Sequence, residues 1–326
     1  MNIKTILCGF ALAPLMVLGG VKEMKAAFEA HPPKVLESTL LTYTGVKPGW
    51  DVYSCSIPFE WKGTKYMFGR VEPRAKWASS VTMLFRETKK DHWERVLEFG
   101  TLEIEDPSIC FIKGELVLAG TRVTKVNGHV TDYAYAFYRD HGKGPFELEY
   151  FTTPAPHQKD VRLVELKDGR IGVFTRPQGG ACGRGRIGFT VINGLDELRP
   201  DKLANAKVID GLVSGNEWCG ANMAYLRSDG KILAAIHLSF NEKVNGVNRA
   251  VYTSATFVLD PQTRKASDLR LFATRSLFPP CEAKTPGLVD CAFLSGIVFN
   301  ADGTADVYSD VANTQEGRIR ILLRKD

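Results

Sequence analysis

The chain lacks the short motifs by which several large enzyme classes are recognised. No two of its seven cysteines are spaced CxxC, and none groups with histidine at zinc-ligand spacing. That argues against a zinc ribbon, a thioredoxin-type redox site and a metal cofactor. No GxxxxGK[ST] or GxSxG occurs. The Gly-rich stretch GRGRIG (183–188) falls between β-rich runs and opens no helix, so it is not a dinucleotide fingerprint. No block of Lys and Arg stands out, and a net charge of +5 spread over 326 residues is no argument for nucleic acid. Helix-forming runs are scarce, and VKEMKAAFEA (21–30) is the best of them.

What is present is globular: 44% apolar, 24% charged and 10% aromatic residues exclude a disordered chain, a fibre and a multi-span membrane protein. Lys4 is the only charge before Lys22. The apolar stretch between them ends in Gly19 and Gly20, as in a signal peptide, although it contains Pro14 and lacks a clean A-x-A site. It is short for a membrane span. Residues 1–20 are therefore read as a signal peptide or N-terminal extension and 21–326 as one domain. Export is expected, with a packed N-terminal helix and a cytoplasmic location as the alternative. Cysteines in an odd, scattered set (Cys8, Cys55, Cys110, Cys182, Cys219, Cys281, Cys291) read as buried thiols; in an exported chain Cys281 and Cys291 are the nearest candidates for a disulfide.

Five segments share a strand–turn–strand pattern: 51–70, 106–122, 160–176, 220–237 and 290–310. Their turn glycines are Gly63, Gly114, Gly169, Gly230 and Gly303, and each interval holds further β-rich runs such as YAYAFYRD and RIGFTVI. That spacing suits four-stranded antiparallel units repeated around an axis. The expected fold is all-β, a five-bladed β-propeller with a short N-terminal helical segment.

Counting seven residues from the turn glycine reaches Arg70, Arg176, His237 and Asp310; in the second repeat, eight residues reach Arg122. Charges that end apolar strands are costly unless paired or functional. The strand starts Asp51, Asp106, Asp160 and Asp290 form a second set. In a propeller both sets converge on the axis. One reading is a structural Asp–Arg network. The other is an anion site: arginine forks bind phosphate through paired hydrogen bonds, and a carboxylate facing them is a general acid. Trp50, Tyr53, Trp218 and Tyr252 lie near strand ends, where aromatics stack on sugars or fill the core. An ordinary glycosidase needs two carboxylates. If phosphate attacks the anomeric carbon, a cationic cradle replaces the second.

At WDVY (50–53), GRVEPR (69–74), EDP (105–107), DVRLVELKDGRIGVFTRPQG (160–179), GAN (220–222) and AIH (235–237) the chain resembles the mannosyltransferase/phosphorylases of glycosyltransferase family 108. More distantly it is similar to the β-mannoside phosphorylases of glycoside hydrolase family 130. The resemblance runs from about residue 35 to the C-terminus. It implies a five-bladed propeller with an axial site and reversible β-mannosyl transfer on β-1,2-mannooligosaccharides. Phosphate, mannose 1-phosphate or GDP-mannose would be the partners, with no cofactor, no metal, no nucleic acid and no stable membrane insertion. EDP places the catalytic acid on Asp106, acting through a sugar hydroxyl. Arg122, Arg176, His237 and Tyr252 would take phosphate. Asp51, Arg70, Glu72, Asp160, Arg162, Asn222 and Asp290 would bind substrate. Ser108 stands where the related phosphorylases usually carry Arg, which leaves one phosphate contact missing or supplied by Arg122. An exported enzyme would lack GDP-mannose. Two other readings are an inverting hydrolase using Asp160 or Asp290 as a second carboxylate, and a carbohydrate-binding propeller without turnover.

Overall fold

The structure is a computed structural model that describes residues 19–76, 79–127 and 129–323. The leader expected over 1–20 lies outside these residues except for its last two glycines. Among the described residues no helix is long and apolar enough to cross a membrane. The expected helix forms at Val21–Ala30. Val21, Met24 and Phe28 share one face, which packs on the core formed by Phe174, Phe189 and Phe257.

The rest is almost entirely antiparallel sheet. Three sheets hold four strands each, in chain order: Glu105–Ile112 to Glu149–Pro156, Arg162–Glu165 to Lys207–Val208, and Trp218–Leu226 to Ala266–Ala273. A ten-stranded sheet holds both ends of the chain. Its first half contains Trp50–Tyr53, Thr64–Pro73, Val81–Lys89 and His92–Arg95; its second contains Ala292–Phe299, Thr304–Val311 and Gln315–Leu322. One parallel pair, Gln315 with Val52, joins the halves. The N-terminal strand Val35–Leu40 crosses over to pair with the C-terminal strand Gln315–Leu322.

All five expected hairpins form, and their turn glycines have φ between 78° and 85°, a conformation that L side chains rarely adopt. Apolar clusters lie between consecutive four-stranded groups. Phe68 and Leu84 of the first meet Leu116 and Tyr138 of the second; Val117 and Phe137 meet Val173 and Ile192 of the third. Phe174 and Phe189 meet Ile236 and Phe257 of the fourth, and Ala235 and Phe272 meet Val307 and Ile319 of the last. Tyr308 packs with Val52 and Met67 of the first group. Packing on both faces explains why second strands such as Ile171–Thr175 and Thr304–Val311 are buried throughout rather than alternating. Cys281 and Cys291 remain separate thiols.

Candidate active site

One cavity of about 230 Å3 collects residues from all five groups: Ser54 and Arg70, Glu105 and Asp106, Lys159 with Asp160 and Arg176, His237 and Tyr252, and Phe293 with Asp310. Leu288, Cys291 and Asn313 complete its lining. The strand registers explain the convergence. Tyr53 lies opposite Arg70, Glu105 opposite Thr121, Gly220 opposite His237 and Phe293 opposite Asp310, so equivalent pair positions face the same space. Several lining residues leave the sheet in the left-handed region: Ser54 (φ 45°), Asp106 (51°), Asp160 (56°) and Asn313 (56°). Such residues cost about 1–3 kcal/mol each and cluster at functional sites. Asp106 sits in a register break between Glu105 and Ser108, where Pro107 has no N–H to continue the ladder.

Asp106 is held by Arg70, whose Nη1 donates to it at 2.9 Å. Arg70 also approaches Glu72 (3.4 Å) and Glu105 (3.5 Å), donates from Nε to Ser80 and stacks on the Tyr53 ring. Glu72 is fully buried behind it and accepts from Tyr53, Ser79, Ser80 and Lys284. Burial opposes its ionisation, but Arg70 and these donors prevail and hold its carboxyl down at about 2. Asp310 behaves in the opposite way. Burial pushes it up to about 7 and the Asp106 charge adds to this, against the Ser54 hydroxyl bond and Arg70. Behind it, burial raises Glu316 to about 8. Burial thus biases both carboxyls toward their neutral form.

On the facing wall Arg176 lies 3.4 Å from Asp160 and donates to the Cys219 and Arg184 carbonyls. A Cβ on Gly220 would lie 2.5–2.9 Å from His237, Asp160 and Arg176, so this close approach requires glycine. Asn222 donates its amide to the Leu294 carbonyl, which turns its oxygen toward His237 Nδ1 at 2.9 Å. Nδ1 therefore carries the proton, and Nε2 has no partner among the described residues. Burial, then Arg176 and Arg162, lower the His237 pKa well below the ordinary value. The ring is a neutral acceptor, not one of the basic groups.

The other expected residues separate into supports and exclusions. Arg162 is buried and donates to the Asn222 carbonyl and to Tyr135, which also bonds Ser108. The Ser108 position thus leads into a support network. Arg122 is exposed; its guanidinium bonds Tyr138 and covers Tyr150. The buried equivalent is Thr121, because one residue along a strand reverses the face. Asp290 is displaced in the same way: it pairs with Lys25, while Cys291 lines the cavity. Asp51 lies two residues short of Tyr53 and is claimed by Arg74 at 2.6 and 2.7 Å. Of the aromatics, Tyr252 lines the cavity, while Tyr53 and Trp218 belong to the core.

Sequence reasoning missed Ser54, Glu105, Lys159, Leu288, Cys291, Phe293 and Asn313 as lining residues. Glu105 was in view within EDP; nothing local marks Ser54 or Asn313. Among the described residues no group of three or more His, Cys, Asp or Glu is arranged to hold a metal.

The family described as a protein of unknown function (DUF1861) matches residues 26–323. A mannose phosphorylase from Leishmania mexicana, solved with a phosphate ion, is 45% identical over 92% of each chain, with a TM-score of 0.87. A GDP-Man-dependent mannosyltransferase from the same organism is 38% identical, covering 93% of this chain and 95% of its own, with a TM-score of 0.85. A β-1,2-mannobiose phosphorylase from Listeria innocua is 17% identical over 87% of this chain and 94% of its own; its TM-score of 0.62 speaks for the fold alone. No curated protein sequence matches.

Proposed function

The chain belongs to the mannosyltransferase/phosphorylase family, and from that premise we propose that it moves a β-mannosyl group reversibly between a β-1,2-mannooligosaccharide and inorganic phosphate. Mannose 1-phosphate is the phosphorylated partner, and GDP-mannose an alternative donor. One observation carries this reading: a carboxylate, Asp106, and the Arg176–His237 wall face the same cavity.

In breakdown, a phosphate oxygen forms a bond to the anomeric carbon as the glycosidic C–O bond breaks. The leaving oxygen receives a proton that originates on Asp106 and passes through a sugar hydroxyl. Arg176 binds the phosphate with its charge, and Tyr252 and His237 complete the cradle. Because His237 Nε2 is an acceptor, it suits a phosphate that still carries one O–H. Arg70 orients Asp106, and Glu72 fixes Arg70.

The five four-stranded groups are read as blades of a five-bladed β-propeller in one domain over 21–326. The apolar clusters shared between neighbours, the last with the first, support it. The hydrolase alternative loses Asp290, which lies outside the cavity, and finds Asp160 held by two arginines.

The test is phosphorolysis of β-1,2-mannobiose with and without phosphate. Mannose 1-phosphate should form only with phosphate. Asp106→Asn should lower the rate about 10²–10⁴-fold, the usual worth of a general acid. Free mannose released at the same rate without phosphate would make the chain a hydrolase.

A further inference from the structure

Asp106 is held by Arg70, and a rival carboxylate stands behind that arginine. Glu72 is fully buried, and at low dielectric a lone Glu72 would draw the guanidinium toward itself. The contacts run the other way. Arg70 Nη1 reaches Asp106 at 2.9 Å, whereas Nη2 stands off at 3.4 Å from Glu72 Oε1 and 3.5 Å from Glu105. The cause is on the other Glu72 oxygen. Oε2 accepts from the Tyr53 hydroxyl and from Lys284 Nζ. The Lys284 side chain is only 2% exposed, and a lysine so buried is costly unless paired. Lys159 approaches Glu105 at 3.8 Å. Each carboxylate thus has a cation of its own: Lys284 for Glu72, Lys159 for Glu105 and Arg70 for Asp106.

Lys284 is carried there by a strap. Residues 274–291 join strand Ala266–Ala273 of the fourth group to Ala292–Phe299 of the last. The middle of the strap is tied to the hairpin turn of the last group. Lys284 N–H donates to the Ala312 carbonyl at 3.0 Å, and Thr314 Oγ1 donates to the Glu282 carbonyl at 2.7 Å. From there two side chains cross to the first group, Glu282 to Arg74 at 3.0 Å and Lys284 to Glu72. The turn residues Ala312 and Asn313 have φ 58° and 56°. Alanine is strained in that region, and such strain persists only where its surroundings impose it.

We propose that Lys284 is a positioning residue for the reaction: by neutralising Glu72 it leaves Arg70 free to hold Asp106 against the substrate. This rests on Asp106 being the acid in the reading above. The strap makes the orientation of that acid depend on the junction between the last group and the first.

Steady-state phosphorolysis of β-1,2-mannobiose by the full chain tests it. Lys284→Met should lower kcat about 10–10²-fold, the scale of a slightly misplaced catalytic group, and leave KM for phosphate within about twofold. Lys284→Arg should keep most of the rate. In a Glu72→Gln background the competing charge is gone, so the same Lys284→Met change should cost less than about threefold. That pair of variants leaves no unpaired buried carboxylate at position 72, so it decides the matter even if Lys284→Met alone fails to fold. Equal losses in both backgrounds would overturn the proposal, since Lys284 would then act on the fold and not through Glu72. So would a native kcat in Lys284→Met. Free mannose released by the native chain without phosphate would overturn only the phosphate reading, and the same comparisons of rate would still decide the role of Lys284.

Discussion

The second strands of the second and third groups differ by one residue in how they meet the cavity. Strand Ile171–Thr175 delivers Arg176 seven residues after its turn glycine, buried against Asp160 in the cavity wall. Strand Glu115–Val126 places Thr121 at that count and Arg122 at the next. Thr121 is fully buried, and Arg122 is exposed on the opposite face. Sequence alignment by charge joined the two arginines; the pleat separates them. Side-chain parity, not the presence of a charge, decides which residue faces the cavity.

The largest effect should come from breaking the inward member. In the proposed reading Arg176→Met removes the cation that holds phosphate, and among the described residues it leaves Asp160 with its longer ion-pair contact to Arg162. Its kcat/KM for phosphate should fall about 10²–10³-fold, the scale for losing one charge-stabilising donor at a reacting centre. A loss below about tenfold would show that another cation carries the phosphate.

A second contrast sets the pH dependence. Asp310 and Glu316 have folded-state values of about 7 and 8, raised by burial above the ordinary carboxylate range. Between pH 4 and 8 the folded chain therefore binds protons that the unfolded chain has released. Their contribution to stability is full at the acid end of that window and is lost as pH rises through 7 and 8. Glu72, held at about 2, works the other way: its contribution is present above its ordinary value and is lost as pH falls toward 2. Melting temperature should decline from pH 5 to 8, and Asp310→Asn or Glu316→Gln should each flatten that decline. An unchanged slope in both variants would refute the assignment.

The smallest effect belongs to the outward member. Arg122→Ala removes a surface contact to Tyr138 and a stack on Tyr150, and its kcat/KM for phosphate should stay within about twofold of the native value. A tenfold loss would return Arg122 to the phosphate site.

Much of this was legible in the chain. Turn glycines followed by apolar runs mark the five hairpins, because a positive φ and strand periodicity are local properties. Asp106, Arg70, Asp160, Arg176 and His237 were in view because charges that end apolar strands are rarely idle, and Tyr252 because it is an aromatic near a strand end. The miscounts at Arg122 and Asp290 are single-residue slips that register alone corrects. The protonation of His237 was beyond sequence, since it depends on Asn222 being turned by the distant Leu294 carbonyl. Lys284 was invisible for the same reason: 212 residues separate it from Glu72.

The most direct test of the account is a phosphate titration of the native chain, Arg176→Met and Arg122→Ala, followed by heat of binding. The native chain and Arg122→Ala should bind phosphate alike, and Arg176→Met should bind it at least about tenfold more weakly, the equivalent of 1.4 kcal/mol. Loss of binding in Arg122→Ala with retention in Arg176→Met would contradict the account, because phosphate would then sit outside the cavity that Asp106 faces.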